Sequence, residues 1–218
     1  MKNLIIIGTG AFARELHGYL KRCIGYGTEW TFKGYIDGDV KVSEEDYVKL
    51  SGEVLGDIFN YEIQPDDVFT CSMAVPEIRK KIINIMLDRS AEFISIIHDT
   101  AIVQDNVTLG NGLIVSPYCF INDHSVVGDY VMMNGLADIG HDSVVGEFTC
   151  MMGHVDITGG VKVGKGCFFG SGSRVVPHCE VGDYAYVGAG AVVLKPVKEG
   201  TTVFGNPAKV LPVPSRKK

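Results

Sequence analysis

Residues 101–196 read, in blocks of six, AIVQDN, VTLGNG, LIVSPY, CFINDH, SVVGDY, VMMNGL, ADIGHD, SVVGEF, TCMMGH, VDITGG, VKVGKG, CFFGSG, SRVVPH, CEVGDY, AYVGAG and AVVLKP, sixteen hexads with no residue inserted or deleted. The third residue is apolar in every block, from Val103 through Ile139 and Val163 to Val193. In a chain that is 46% apolar, such agreement over six registers arises by chance a few times in roughly 10^5. The first residue is small or β-branched in all blocks but the one opened by Leu113, and the fourth is Gly in eight. A short period of this strictness is the signature of a solenoid. Each hexad is expected to form a short strand and a corner, its third side chain pointing inward. The fourth-position glycine is expected to take a positive φ at the corner. Three hexads per coil make residues i and i+18 vertical neighbours, and sixteen make slightly more than five triangular coils. A prism of this kind has flat faces whose apolar strips favour a symmetric oligomer, here a homotrimer.

Outside the hexads, residues 1–98 alternate strand and helix patterns. Asn3–Ile7 is β-rich and leads through Gly8-Thr9-Gly10-Ala11-Phe12-Ala13 into a helical pattern with Phe12, Leu16 and Leu20 on one face. Thr31–Ile36, ending at Asp37, and Val68–Met73 read as further strands, with the polar stretch 38–56 between them. Pro76 opens a second helix whose apolar face is Ile78, Ile82, Ile85 and Met86, and Phe93–Ile97 reads as a last strand. The expected organisation is therefore an α/β domain over 1–98 and a parallel β-helix over 99–218. The glycine loop Gly8-x-Gly10-x-x-Ala13 lets a backbone approach a phosphate at a helix N-terminus, with Asp37 placed to meet a ribose or base. The same loop also serves as a plain strand-to-helix turn. No second glycine loop exists to complete a dinucleotide site, which argues against an NAD-dependent oxidoreductase.

A formal charge of -6 and a pI near 5.5, with no basic stripe, argue against nucleic acid as a partner. The apolar run Leu4–Ile7 is too short to span a membrane, and a cytoplasmic location is expected. The six cysteines form no CxxC pair, and three open hexads, so they read as small buried thiols, with neither zinc nor disulfides.

Of the six histidines, His17 and His98 read as structural, and His124, His154 and His178 as polar corner residues at sixth positions. His141 differs: it follows Gly140 at a corner and precedes Asp142. A carboxylate beside a neutral imidazole fixes its tautomer and raises its basicity, which suits a general base. Neighbours along a straight strand point apart, so the pair needs a corner, expected here from Gly140. Asp123 and Gly159 are expected to stack on either side of His141.

The run Gly140-His141-Asp142-x-x-x-Gly146-Glu147-Phe148, then Gly159-Gly160-Val161-x-Val163-Gly164 and Gly205-Asn206-Pro207-Ala208-Lys209, with Glu77-Ile78-Arg79-Lys80-Lys81 opening the second helix, resembles the hexapeptide-repeat sugar acyltransferases of the sialic acid O-acetyltransferase and bacillosamine-pathway N-acetyltransferase type. The resemblance covers nearly the whole chain. It implies a Rossmann-like first domain, a left-handed hand for the β-helix, a homotrimer, acetyl-CoA as donor and a nucleotide-activated amino sugar as acceptor. It assigns His141 as base and Asp142 as its acidic neighbour, and places Asn134 beside the acceptor. Gly159 falls where a backbone N–H faces the thioester oxygen, with Cys150, Ser171 and Ala189 along the coenzyme. Gly10, Ala11, Phe12, Asp37, Gly38 and Ala74 fall at nucleotide-sugar positions. The chain departs from the bacillosamine type at Phe12 and Cys150, where those enzymes commonly carry histidines. The implied reaction is N-acetylation of a 4-amino-4,6-dideoxyhexose on its nucleotide. O-acetylation of sialic acid or another sugar hydroxyl is the alternative, and a non-catalytic structural trimer the alternative from outside the enzymes.

Overall fold

The computed structural model describes residues 1–38 and 49–212, which divide into two compact units that meet in the chain between Asp99 and Thr100. Much of the turn-rich stretch expected at 38–56 lies outside the described residues.

The first unit is built on a five-stranded parallel sheet of β1 (Lys2–Ile7), β2 (Trp30–Asp37), β3 (Val54–Asp57), β4 (Asp67–Cys71) and β5 (Glu92–Phe93). Its spatial order is β3-β2-β1-β4-β5. The central strands are apolar on both faces, as Leu4–Ile7 and Val68–Phe69 are fully buried, which fits a parallel sheet covered on both sides. Helices α1 (Ala11–Tyr19) and α2 (Pro76–Asp88) follow β1 and β4. The strand order reverses between β1 and β4, the place where open parallel sheets bind ligands beyond their C-terminal strand ends.

Three details differ from the sequence reading. Strand β3 falls largely within a stretch read as polar turn, because it is held by pairing with β2 and not by burial of an apolar run. The last strand is two short ones, Glu92–Phe93 and Ile96–Ile97. In α2 the buried face is Arg79, Ile82, Ile83 and Met86, while Ile78 is 51% exposed. Arg79 is buried because its guanidinium donates to the Cys71 carbonyl, a polar contact that apolar periodicity does not register.

The second unit is a β-solenoid with three walls. The first wall stacks Ile102–Val103, Phe120–Ile121, Asp138–Ile139, Asp156–Ile157, Arg174–Val175 and Val192–Val193. The second stacks Thr108–Leu109, Val126–Val127, Val144–Val145, Lys162–Val163 and Glu180–Val181. The third includes Ile114–Val115, Met132–Met133, Cys150–Met151, Phe168–Phe169 and Tyr186–Val187. One coil is 18 residues, as Phe120 on Asp138 and Cys150 on Phe168. From Val115 to Val193 every third-position side chain is buried. First-position hydroxyls link successive coils inside the corners: Ser125 donates to Gly140 O at 2.9 Å and Ser143 to Thr158 O at 2.9 Å. The Gly205–Lys209 motif closes the stack, because Val192 donates to Gly205 O and accepts from the Ala208 N–H.

The corners correct the expectation about glycine. None of the fourth-position glycines lies in the left-handed region; that conformation falls on sixth residues, including Tyr118, His124, Leu136, Asp142 and His178. The fourth position is glycine for closeness of approach. A Cβ on Gly140 would lie 2.5 Å from the backbone N of Gly159 and the carbonyl carbon of Thr158, one coil on. Coils stacked at strand spacing leave no room for a side chain there.

Candidate active site

His141 stands at the corner between the first and second walls, and its Nδ1 lies 2.7 Å from Asp142 Oδ2. Both side chains are exposed, 68% and 66%. Adjacent residues meet here because Asp142 takes a φ of 59°, so its carboxylate swings back to the preceding imidazole. The corner therefore comes from Asp142 itself and not, as expected, from Gly140. With Nδ1 on the carboxylate, Nε2 is the nitrogen left to take a proton.

The expected vertical neighbours are in place. Asp142 N–H donates to Asp123 O one coil below, and Gly160 N–H donates to His141 O at 2.8 Å one coil above. The imidazole leans over Gly159: a Cβ on that glycine would meet His141 Nε2 at 2.6 Å. Among the described residues the Gly159 N–H has no hydrogen-bond partner, so a backbone donor stands free beside Nε2. In the coil below, Asp123 and His124 form a second pair in reverse order, His124 Nδ1 to Asp123 Oδ2 at 2.8 Å.

Asn134, Ser171 and Ala189 are not brought to this corner. They lie at a different one, between the third and first walls, where Gly135, Gly153 and Ser171 carbonyls each accept an N–H from the coil above. Asn134 Oδ1 accepts from the Gly135 N–H at 2.7 Å. Cys150 lies on the third wall and is fully buried, its thiol donating to Phe148 O. All six cysteines are buried and free, and burial pushes the Cys119 and Cys167 thiols up to about 11.

In the first unit, the C-terminal ends of β1, β2 and β4 carry the remaining candidates. Gly8 has a φ of 104° and Gly10 caps α1, so the chain turns directly from strand to helix at Ala11 and Phe12. Asp37 locks this loop: one carboxylate oxygen accepts from the Thr9 N–H and hydroxyl, the other from the Gly38 N–H at 2.7 Å. Ala74 follows β4 on the same edge of the sheet. His17 and His98 have structural surroundings. His17 packs on Phe32 with ring centroids 4.5 Å apart, and His98 is buried against Tyr19. Burial holds both imidazoles below the usual histidine range.

The model of the bacterial transferase hexapeptide, six repeats, matches residues 160–195. The chain is also similar to a variant of perosamine N-acetyltransferase from Caulobacter crescentus in complex with CoA and GDP-perosamine, at 27% identity over 97% of each chain with a TM-score of 0.85. The chain carries the hexapeptide repeat and is an acyltransferase. The acetyltransferase domain of PglB from Neisseria gonorrhoeae is 25% identical over 97% of this acyltransferase and 100% of that domain, TM-score 0.83. WeeI from Acinetobacter baumannii shares the fold, with a TM-score of 0.85 at 20% identity. No curated protein sequence matches. Among the described residues, no helix of the acyltransferase is long and apolar enough to cross a membrane.

One residue that the sequence reading left as a polar corner belongs to the His141 neighbourhood. His178 leans over Gly160, occupying the space a Cβ there would need, and its N–H donates to Gly159 O at 3.1 Å. The available signal was the spacing: His178 is one coil beyond Gly160, as His141 is one coil before Gly159.

Proposed function

We propose that this acyltransferase moves the acetyl group of acetyl-CoA onto the amino group of a nucleotide-linked 4-amino-4,6-dideoxyhexose, with His141 as general base. The observation that carries the reading is the His141–Asp142 pair, with free Nε2, directly beside the unpartnered Gly159 N–H. That juxtaposition has the two parts acyl transfer needs: a base for the attacking nitrogen and a donor for the developing oxyanion. The amine attacks the thioester carbonyl and gives its proton to Nε2. The carbonyl oxygen gathers charge against the Gly159 amide, and the C–S bond breaks as the tetrahedral centre collapses. The protonated imidazole, stabilised by Asp142, then returns the proton to the thiolate. A relative solved with CoA and GDP-perosamine supports both substrate classes.

The first unit, Rossmann-like with its strand order reversing at β1 and β4, supplies the nucleotide site at Gly10, Ala11, Phe12, Asp37, Gly38 and Ala74 in this reading. Asp37 then acts on the nucleotide chiefly by holding the Thr9–Gly10 loop in shape. The solenoid is left-handed and assembles as a homotrimer. Two observations favour assembly: apolar Val126, Val144, Tyr118 and Leu136 are exposed, and the proposed donor residues fall on two different corners of one prism. A second copy is needed to bring Ser171 and Ala189 opposite His141 and Gly159. The protein works in the cytoplasm, in building a surface polysaccharide.

The test is thiol release from acetyl-CoA against a panel of UDP-, dTDP- and GDP-linked 4-amino sugars and CMP-sialic acid. Release with an amino sugar, and not with its 4-hydroxy counterpart, is the expected result. Release only with a hydroxyl acceptor would replace the reading with O-acetylation.

A further inference from the structure

Gly159 and Gly160 form a bare two-residue floor in one coil, and an imidazole leans over it from each side. His141 reaches up from the coil below over Gly159, and His178 reaches down from the coil above over Gly160. Backbone bonds fix the spacing, Gly160 N–H to His141 O at 2.8 Å and His178 N–H to Gly159 O at 3.1 Å. The two histidines are thus two coil rises apart along the stack, roughly 9.6 Å at strand spacing, with no side chain between them. His141 has one nitrogen committed to Asp142, whereas neither ring nitrogen of His178 has a partner among the described residues. His178 is also exposed, so packing does not account for its direction.

We propose that His178 touches the acyl donor on the side of the floor opposite His141, donating an N–H hydrogen bond to the thioester sulfur as it leaves. This rests on the acyl-transfer reading above. With the thioester oxygen at the Gly159 amide and the attacking nitrogen at His141 Nε2, the sulfur turns toward Gly160 and His178. The N–C bond forms, the amine proton passes to His141, and the C–S electron pair goes to sulfur. There the His178 N–H bears part of the charge until His141 returns its proton to the thiolate. No proton is lost from His178, so atoms and charge balance without another reactant. The floor must be bare for this, since a Cβ on either glycine would strike one of the two rings.

The experiment compares wild type, His178→Ala and His178→Gln, measuring kcat and KM for donor and acceptor together with CoA affinity by calorimetry. A hydrogen bond to a charged group implies about a 10- to 100-fold fall in kcat for H178A with CoA affinity unchanged. H178Q, which keeps an N–H donor, is expected to restore kcat to within about fivefold of wild type. Because the side chain is exposed, both variants fold, and an unchanged melting temperature verifies it. An H178A kcat within twofold of wild type, or a loss confined to CoA affinity, overturns the proposal while leaving the function intact. Failure of the wild-type protein to release thiol with any acceptor, while it binds no CoA, overturns the acyl-transfer reading and this inference with it.

Discussion

Replacing Gly140 by alanine tests why glycine recurs at the fourth hexad position. A Cβ there lies 2.5 Å from two backbone atoms of the next coil, the Gly159 N and the Thr158 carbonyl carbon. Ordinary contact begins near 3.4 Å, so the overlap approaches 1 Å, and neither atom is the movable end of a side chain. Overpacking of this kind costs about 1–3 kcal/mol. At roughly 2–4 °C per kcal/mol for a chain of this size, G140A is expected to melt about 2–12 °C below wild type. The control is Gly135→Ala, where the nearest atom to the added Cβ is Pro117 O at 3.5 Å and φ is not left-handed. There the lost flexibility of the unfolded chain contributes about 0.4–1 kcal/mol, so the melting temperature should hold or rise slightly. Scanning calorimetry reads both, and the G140A displacement of Gly159 from His141 should also lower turnover. A G140A variant melting together with G135A would refute the close-approach argument.

Other outcomes follow from burial and charge. None of the six cysteines is expected to react with an aromatic disulfide reagent in the folded protein, and all six should react in denaturant, since every thiol is buried; rapid labelling of a native thiol would contradict the packing at Cys150. The Asp138 carboxyl is pushed above the usual carboxylate range by burial, then by Asp156, against an opposing hydrogen bond from Asn122. A raised folded pKa contributes stability that is whole below the unfolded value and is lost as pH rises through the folded one. Asp138→Asn should therefore raise the melting temperature at neutral pH and converge with wild type below about pH 4; a constant difference across pH would count against it.

The solenoid could be read from the sequence because its rule is local and strict. An inward third residue, such as Val145 or Ile157, is apolar whatever the rest of the chain does, and the 18-residue coil follows from three equal walls. That same spacing placed Gly159 beside His141 correctly. The role of the glycines could not be read, because a positive φ and a close backbone approach both select glycine and leave the same letter. The left-handed residues proved to be Asp142, Leu136 and Tyr118, side-chain-bearing sixth positions whose conformation is imposed by the coil and not by propensity. His178 was passed over for a related reason. At a sixth position it looks like any polar corner, and its meaning depends on the emptiness of Gly160 a coil away. In the first unit, the loop from Gly8 to Ala13 was legible as strand, turn and helix, while β3 and the buried Arg79 were not. One is held by backbone pairing with its neighbour strand and the other by a carbonyl, and neither leaves an apolar period.

The most direct test of the account is the turnover of His141→Asn with acetyl-CoA and a nucleotide-linked 4-amino sugar. His141 is exposed and asparagine keeps the corner polar, so CoA affinity and melting temperature should match wild type. Turnover should fall by about 10^2 to 10^4 in kcat, the usual contribution of a positioned general base. A kcat within a few fold of wild type, with folding and CoA binding intact, would contradict it.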